Sequence, residues 1–276
     1  MCLILFAYNI HPVYRLVLGA NRDEFFSRPA APLSFWHDRP DILAGRDLKN
    51  MGTWLDITRS GRLAAITNFR DPCTLKEKAP SRGLLVSDFL KASIPAPDYL
   101  ERIRKTGRDY NGFNLIVSDL SGIYHYSNRS DKIQALTPGL YGLSNHLLDT
   151  PWPKVETGKK GLDSIIRQNR HISDKTIIAL LADRRRFADE TLPDTGMGLE
   201  WERRLSTIFI AGREYGTRSS SVLLLEKSGK ISFTEQTFQN VPATETPPAT
   251  RRFRFTRNQR PLVRDRISEA ESHKQG

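Results

Sequence analysis

The sequence predicts an α+β protein in which β-sheets are stacked on each other and covered by helices. Three observations lead to this class. Short apolar strands begin the chain, strand patterns return late in the chain, and helical patterns occur in pairs between them. With 276 residues, 38% hydrophobic and 26% charged, the chain has the composition of a globular protein with one large core.

The first strands are predicted as two hairpins. Residues 2–8 and 14–20 are apolar runs that flank Asn9, His11 and Pro12, and residues 53–58 and 62–68 flank a turn at Ser60 and Gly61. Further strands are predicted over residues 113–120, 122–126, 133–136, 139–143, 206–211, 219–226 and 231–235.

Two pairs of helices are predicted between these strands. The first pair covers residues 81–92, with Ser81 as the cap, and residues 97–105; the second covers residues 153–168 and 173–181. Residues 28–41 and 70–81 are expected to be loops that set specificity. After Asn240 the sequence is rich in proline and threonine, so we predict a folded domain over residues 1–242 and a flexible, basic arm over residues 243–276.

Several classes of protein are disfavoured by composition. No apolar run approaches the roughly 18 residues of a membrane span, two cysteines cannot form a disulfide framework, and the N-terminus does not resemble a secretory signal. We therefore expect a cytoplasmic protein. The six histidines lack metal-ligand spacing and no glycine-rich phosphate loop follows a strand, so neither a metal nor a nucleotide is expected.

The net charge of +11 is concentrated near the end of the chain. Residues 251–276 contain eight Lys or Arg against three acidic residues. The run Arg251-Arg252-Phe253-Arg254-Phe255 could stack on nucleic-acid bases or touch an anionic membrane. A solvated or loosely docked arm is the favoured interpretation, and nucleic acid is not expected as a partner.

Cys2 is the first candidate for chemistry. Aminopeptidases remove Met1 when the second residue is small, and the chain would then begin with a residue that has both a thiol and a free α-amine. The pKa of such an amine, about 7.7–8.0, suits a general base near neutral pH. From position alone, however, a buried core cysteine on an apolar strand is the more frequent explanation.

Polar residues are predicted to approach Cys2 from two directions. Antiparallel pairing of the first two strands brings Asn21, Arg22 and Asp23 beside the thiol, although exposed ion pairs at a strand end are the ordinary alternative. Asn68 ends an apolar strand and could donate to an oxyanion, or could simply turn the chain. Asn145 also ends a predicted strand, and it likewise could donate to an oxyanion or simply turn the chain.

Eight short motifs then occur in the order found in the NRDE family, to which Transport and Golgi organisation protein 2 is similar. They are Met1-Cys2, Ala20-Asn21-Arg22-Asp23-Glu24, Ala44-Gly45-Arg46-Asp47, Gly52-Thr53-Trp54-Leu55, Ala65-Ile66-Thr67-Asn68-Phe69-Arg70, Tyr110-Asn111-Gly112-Phe113-Asn114, Gly142-Leu143-Ser144-Asn145 and Gly216-Thr217-Arg218-Ser219-Ser220. The family's glycines at the ends of Gly-Gly-Thr-Trp-Leu-Gly are replaced by Met51 and Asp56.

That family resembles the N-terminal nucleophile hydrolases of the choloylglycine hydrolase and penicillin V acylase type. The resemblance implies a four-layer αββα sandwich and an amide or thioester hydrolase in which Cys2, freed of Met1, is the nucleophile. Those hydrolases place an arginine before the asparagine where this chain has Ala20, and Arg22 could substitute.

Site residues follow from the same resemblance. The implied catalytic residues are Cys2, Asp23, Asn68 and Asn145, and the implied substrate-binding residues are Asn21, Arg22, Trp54 and Arg218. The expected partner is a small acyl or amide substrate, with no cofactor. The alternative is a non-catalytic carrier or chaperone that holds a lipid, an acyl thioester or haem in the same pocket.

Overall fold

The computed structural model describes residues 2–239 and 248–258. Its strands are β1 Cys2–Tyr8, β2 Tyr14–Phe25, β3 Ala30–Phe35, β4 Ile42–Asp47, β5 Leu55–Thr58, β6 Leu63–Asn68, β7 Phe113–Ser118, β8 Ile123–Ser127, β9 Lys132–Ala135, β10 Gly139–Leu143, β11 Tyr215–Glu226, β12 Lys230–Thr237 and β13 Ala249–Thr256. Its helices are α1 Gly83–Lys91, α2 Ala96–Thr106, α3 Pro153–Gln168, α4 Asp174–Leu181 and α5 Leu199–Leu205.

The strands form two antiparallel sheets. The first has the order β10-β1-β2-β11-β12-β13 and the second the order β3-β4-β5-β6-β7-β8-β9. Helices α3 and α4 pack on the first sheet, and α1 and α2 pack on the second. The layers are therefore helix, sheet, sheet, helix, and the predicted four-layer αββα architecture is confirmed.

Alternation of apolar side chains along the strands produces three separate cores. On β1, Ile4 and Phe6 belong to the core between the sheets, whereas Leu3 and Leu5 face the layer of α3 and α4. A third core lies between the second sheet and the helices α1 and α2. Both faces of β1 are buried, which explains why its sequence is continuously apolar.

Glycine allows helix α3 to pack closely on the first sheet. A Cβ atom on Gly158 would lie 2.6 Å from Cδ1 of Leu5. Proline at the first position of α3 suits a helix start, because that backbone nitrogen needs no intrahelical partner. These features determine where α3 begins and how closely it lies on β1.

Three segments differ from the sequence-based expectation. The segment 28–47, of which residues 28–41 were expected to be a loop and residues 42–47 were not predicted as a strand, contains the paired strands β3 and β4. Residues 206–211, expected to be a strand, are not a strand, and they follow α5, which was not predicted. Short elements such as these depend on contacts with distant segments, which the local sequence pattern does not show.

The basic arm is the third difference. Strand β13 pairs with β12 along its whole length, so part of the segment 243–276 belongs to the sheet. Phe253 and Phe255 pack against the core between the sheets, with ring centroids 5.6 and 5.7 Å from Phe35. The alternation of arginine and phenylalanine is therefore the inside–outside pattern of an edge strand. Residues 240–247 and 259–276 of the proposed linker and arm lie outside the described residues.

Within the part of the chain that the structure describes, none of the helices is both long and apolar enough to cross a membrane.

Candidate active site

Cys2 lies at the edge of a cavity between the two sheets. It begins β1, which runs between β10 and β2, and its backbone pairs with that of Arg22. The cavity has a volume of about 450 Å³, and its lining includes Cys2, Arg22 and Asp23. Cys2 is 8% exposed. The strand pairing thus brings Arg22 and Asp23 beside the thiol, as the sequence predicts.

Burial raises the pKa of the Cys2 thiol above its usual value. The nearby Asp23 carboxylate raises this pKa further, while the guanidinium of Arg22 opposes the shift. The protonated thiol is therefore the favoured form at neutral pH, and a base is needed before Cys2 can attack a carbonyl.

Asp23 is buried at the same end of the sheet. The hydroxyl of Thr217 on β11 donates to its Oδ1 at 2.8 Å, and the hydroxyl of Tyr215 donates to its backbone carbonyl at 3.3 Å. Burial raises the pKa of the Asp23 carboxyl, whereas the positive charge of Lys154 lowers it. The environment of this carboxyl is therefore set by three neighbouring elements, β2, β11 and α3.

Asn68 and Asn145 have different positions. Asn68 ends β6 in the second sheet and lines the cavity that also holds Cys2. Asn145 is fully buried behind it, and its Nδ2 donates to the backbone carbonyl of Asn68 at 3.0 Å. Asn145 also accepts, through its own carbonyl, a hydrogen bond of 2.7 Å from the backbone of Arg70. Through these hydrogen bonds Asn145 orients the backbone of Asn68. Asn145 itself is not among the residues that line the cavity.

Asn21 points to the opposite face of the sheet from Arg22. Its Nδ2 donates to the carbonyls of Leu181 and Ile208 at 2.9 and 2.8 Å, and its Oδ1 accepts from the hydroxyl of Ser220 at 2.6 Å. Asn21 therefore ties β2 to the end of α4, and it does not line the cavity. The substrate-binding role assigned to Asn21 from sequence does not agree with this position.

Trp54 and Arg218, the other two predicted binding residues, do line the cavity. Three further arginines, Arg28, Arg46 and Arg82, line it as well. Arg82 precedes α1 and donates to the carbonyl of Gly112 at 2.9 Å. Burial lowers its pKa, and the negative charge of the Cys2 thiolate opposes this shift, so Arg82 acts electrostatically on the thiol.

A cluster of buried charges lies beneath Asp23 and was not predicted from sequence. Arg70 and Glu202 form an ion pair at 2.5 Å with side chains that are 2% and 3% exposed. Lys154 is fully buried, donates to the carbonyl of Leu205 at 2.7 Å, and has its pKa lowered to about 8 by burial. The cluster surrounds the carboxyl of Asp23 with charge of both signs.

One signal in the sequence could have located Lys154. It precedes Gly158, Leu162 and Ile166 at steps of four residues, and these are buried positions of α3. A lysine on the core face of a helix indicates a buried partner. Arg70 and Glu202 carry no comparable signal, because they come from separate elements that meet only in the folded chain.

The fold and the site define a class of protein: a four-layer αββα sandwich with a cysteine near the N-terminus at the mouth of a charged cavity between the sheets. The chain belongs to the Transport and Golgi organisation 2 family, whose family model matches residues 1–240. The family membership inferred from the ordered motifs is confirmed.

Curated relatives match nearly the full length of the chain. A Transport and Golgi organization protein 2 homolog from Bos taurus is 37% identical over 92% of this chain and 99% of its own. The homolog from Homo sapiens is also 37% identical, over 93% and 99%. The protein from Drosophila melanogaster is 28% identical, over 86% and 92%.

Two solved structures have a similar arrangement at 11% sequence identity. One is a Caenorhabditis elegans ortholog of N-acylethanolamine-hydrolyzing acid amidase, with a TM-score of 0.42 over 81% of this chain and 92% of the other. The other is the C2A mutant of conjugated bile acid hydrolase from Clostridium perfringens, with a TM-score of 0.47 over 95% and 94%. Similarities of this size carry no information about the activity of this chain.

Proposed function

We propose that the protein is a cysteine N-terminal nucleophile hydrolase that acts on small amides or thioesters after removal of Met1. The observation that carries the proposal is the convergence of Cys2, Asp23 and Asn68 on one cavity, from three strands in two sheets. A nucleophile, a carboxylate and an amide donor on rigid strands match the components that acyl transfer requires.

The first step would form an acyl-enzyme. The free α-amine of Cys2 takes the thiol proton, and the thiolate attacks the carbonyl carbon to give a tetrahedral oxyanion. The amine then returns the proton to the leaving amine or thiol as its bond to the carbonyl carbon breaks. Asp23, buried next to Cys2, would orient the protonated amine, and Arg22 and Arg82 would favour the thiolate.

Asn68 would stabilise the oxyanion. Asn68 lines the cavity, and Asn145 holds its backbone in place. An oxyanion donor of this kind contributes about 2.7–4 kcal/mol elsewhere. In the second step, water gives up a proton to the amine and attacks the thioester, which releases the acid and restores Cys2.

The alternative function was a carrier of haem or lipid. Cys2 could ligate haem through its thiolate, but most of the other residues that line the cavity are polar or charged and offer little apolar surface to the macrocycle. The larger apolar residues of the lining are Trp54, Ile66 and Phe238, which offer little surface to a lipid chain. An acyl thioester remains compatible with the cavity, as a substrate in the proposed reaction.

The test is formation and turnover of an acyl-enzyme. Purified protein without Met1 is mixed with a simple acyl thioester, and intact mass and peptide mapping locate the acyl group. We expect acylation at Cys2, release of free acid over repeated turnovers, and loss of both in Cys2→Ala. Binding of the thioester without acylation would support a carrier and contradict the proposal.

Asn68→Ala separates catalysis from simple thiol reactivity. We expect acylation to slow by roughly 10²–10³-fold. Asn50→Ala is the matched control, because Asn50 also lines the cavity but is exposed, and acylation should stay close to wild type. Equal rates in Asn68→Ala and Asn50→Ala would rule out an oxyanion role for Asn68.

A further inference from the structure

Arg22 and Arg218 lie next to each other on neighbouring strands, and both line the cavity. Arg22 on β2 pairs with Ser219 on β11, and Arg218 occupies the irregular position between Thr217 and Ser219 where the register shifts. A bulge of this kind redirects a side chain relative to the regular alternation of the strand.

Arg28 and Arg46 are neutralised by acidic partners, whereas Arg22, Arg82 and Arg218 have no close acidic partner among the described residues. Arg28 contacts Asp47 at 2.6 Å and Arg46 contacts Asp38 at 2.6 Å. Arg218 donates only to the carbonyls of Phe25 and Arg28, at 2.8 and 2.9 Å, and forms no ion pair within residues 2–239 and 248–258.

Among the described residues Arg22 forms one ion pair, with Glu24, and its charge also acts on the buried carboxyls of Asp23 and Glu235. It reaches Glu24 at 4.0 Å, the outer limit of an ion pair, and Glu24 is shared with Arg28 at 3.8 Å. The described residues therefore leave guanidinium N–H groups of both Arg22 and Arg218 available to a ligand.

Arg22 and Arg218 carry like charges on neighbouring strands, and these charges repel each other. Burial lowers the pKa of Arg218, the charge of Arg22 lowers it further, and Glu24 only partly opposes the effect. An anion bound between the two guanidinium groups would remove the repulsion and would accept charge-assisted hydrogen bonds from both.

We propose that the compound attacked by Cys2 carries a carboxylate or phosphate group that Arg22 and Arg218 bind. The proposal rests on the proposed function and names the class of its substrate: an anionic acyl compound. Arg22 is one strand from Cys2 and Arg218 is two strands away, which corresponds to about 5–10 Å. The anionic group is therefore separated from the acyl carbonyl by a short linker.

The test uses alkylation of Cys2, which requires no turnover. The thiolate displaces iodide from an N-substituted iodoacetamide, so that a C–S bond forms, iodide leaves and the thiol proton goes to solvent. Three reagents share one linker of about 5–10 Å, matched to the strand spacing, and end in a carboxylate, a phosphonate or a neutral methyl amide. Their rates are compared with their rates toward free cysteine.

We expect the wild-type protein to prefer an anionic reagent over the neutral one by roughly tenfold or more, beyond the preference of free cysteine. Comparison of the carboxylate reagent with the phosphonate reagent shows which of the two anionic groups the site prefers. Arg218→Gln should lower the preference at least about fivefold, and because the preference is a ratio of the anionic to the neutral rate, a change in the general reactivity of Cys2 does not affect it. Arg46→Gln is the matched control and should keep the preference, because Arg46 is already paired with Asp38.

A wild-type preference equal to that of free cysteine would overturn the proposal, as would a preference that survives in Arg218→Gln. Failure of all three reagents to label Cys2 would also overturn it, because the cavity would then not admit the linker. Acyl-enzyme formation without an anionic preference would contradict only this inference. An anionic preference without acyl turnover would instead contradict only the proposed function.

Discussion

Lys154 provides a quantitative test of the charge cluster beneath the candidate active site. Its side chain is buried on α3, and its ammonium donates to the carbonyl of Leu205. Burial and, to a smaller extent, the charge of Arg70 lower the pKa of this ammonium from 10.5 to about 8, while Asp23 and Cys2 oppose the shift. Lys154→Met removes the charge and keeps a flexible side chain of similar length.

The size of the effect follows from linkage. Between pH 8 and 10.5 the unfolded chain holds a proton on Lys154 that the folded chain has lost, so the stability of the wild type rises with pH in this window. A pKa lowered from 10.5 to about 8 corresponds to about 3 kcal/mol. Below pH 8 both states are protonated, and the folded state bears the full cost of the buried charge.

Urea unfolding of both proteins at several pH values from 7 to 10 measures this difference. We expect the free energy of unfolding of the wild type, relative to Lys154→Met, to increase by about 1.4 kcal/mol per pH unit above pH 8. Lys159→Met controls for the loss of a cation from α3, because Lys159 is partly exposed and paired with Asp149. A wild-type to Lys154→Met difference that stays constant across this range would refute the assignment of a destabilised charge to Lys154.

Three further substitutions test two buried acidic groups and one strained backbone position. Glu202→Gln should lower the free energy of unfolding, measured with denaturant, by about 3–5 kcal/mol, because it leaves the Arg70 guanidinium buried without its partner. The control is Arg203→Gln, which removes an exposed ion pair with Asp189 and should be close to wild type. Similar losses in both variants would contradict the argument. Burial raises the pKa of Asp56 well above its usual value of 3.8, so ionisation of this carboxyl opposes folding. The melting temperature of Asp56→Asn should therefore increase relative to that of the wild type as the pH rises above 3.8. A difference in melting temperature that does not change with pH would contradict this prediction. Met51 has φ +58°, and Met51→Gly should raise the free energy of unfolding by about 1 kcal/mol; a decrease would show that the Met51 side chain contributes more than the strain costs.

The sequence alone was sufficient to predict the stacked sheets covered by helices and the part of the site around Cys2. Continuous apolar runs such as Cys2–Tyr8 belong to strands that are buried on both faces, and this pattern depends on no distant contact. The pairing of β1 with β2 follows from a short hairpin, so the position of Arg22 and Asp23 beside Cys2 could be predicted.

Contacts between segments that are distant in the sequence could not be predicted from the local sequence pattern. The side of the sheet to which Asn21 points depends on register, and a one-residue step separates it from the cavity face that holds Arg22. Strand β13 looked like a solvated arm because its partly buried phenylalanines need Phe35, more than two hundred residues earlier, to complete their packing. The cluster of Arg70, Lys154 and Glu202 likewise exists only after three distant segments have met.

Intact-mass measurement of the purified protein tests the central claim most directly, because every step proposed for Cys2 needs its free α-amine. The account predicts a mass that lacks one methionine residue and an N-terminal sequence that begins at Cys2. A protein that keeps Met1 in full and still hydrolyses an acyl substrate would contradict the N-terminal nucleophile mechanism.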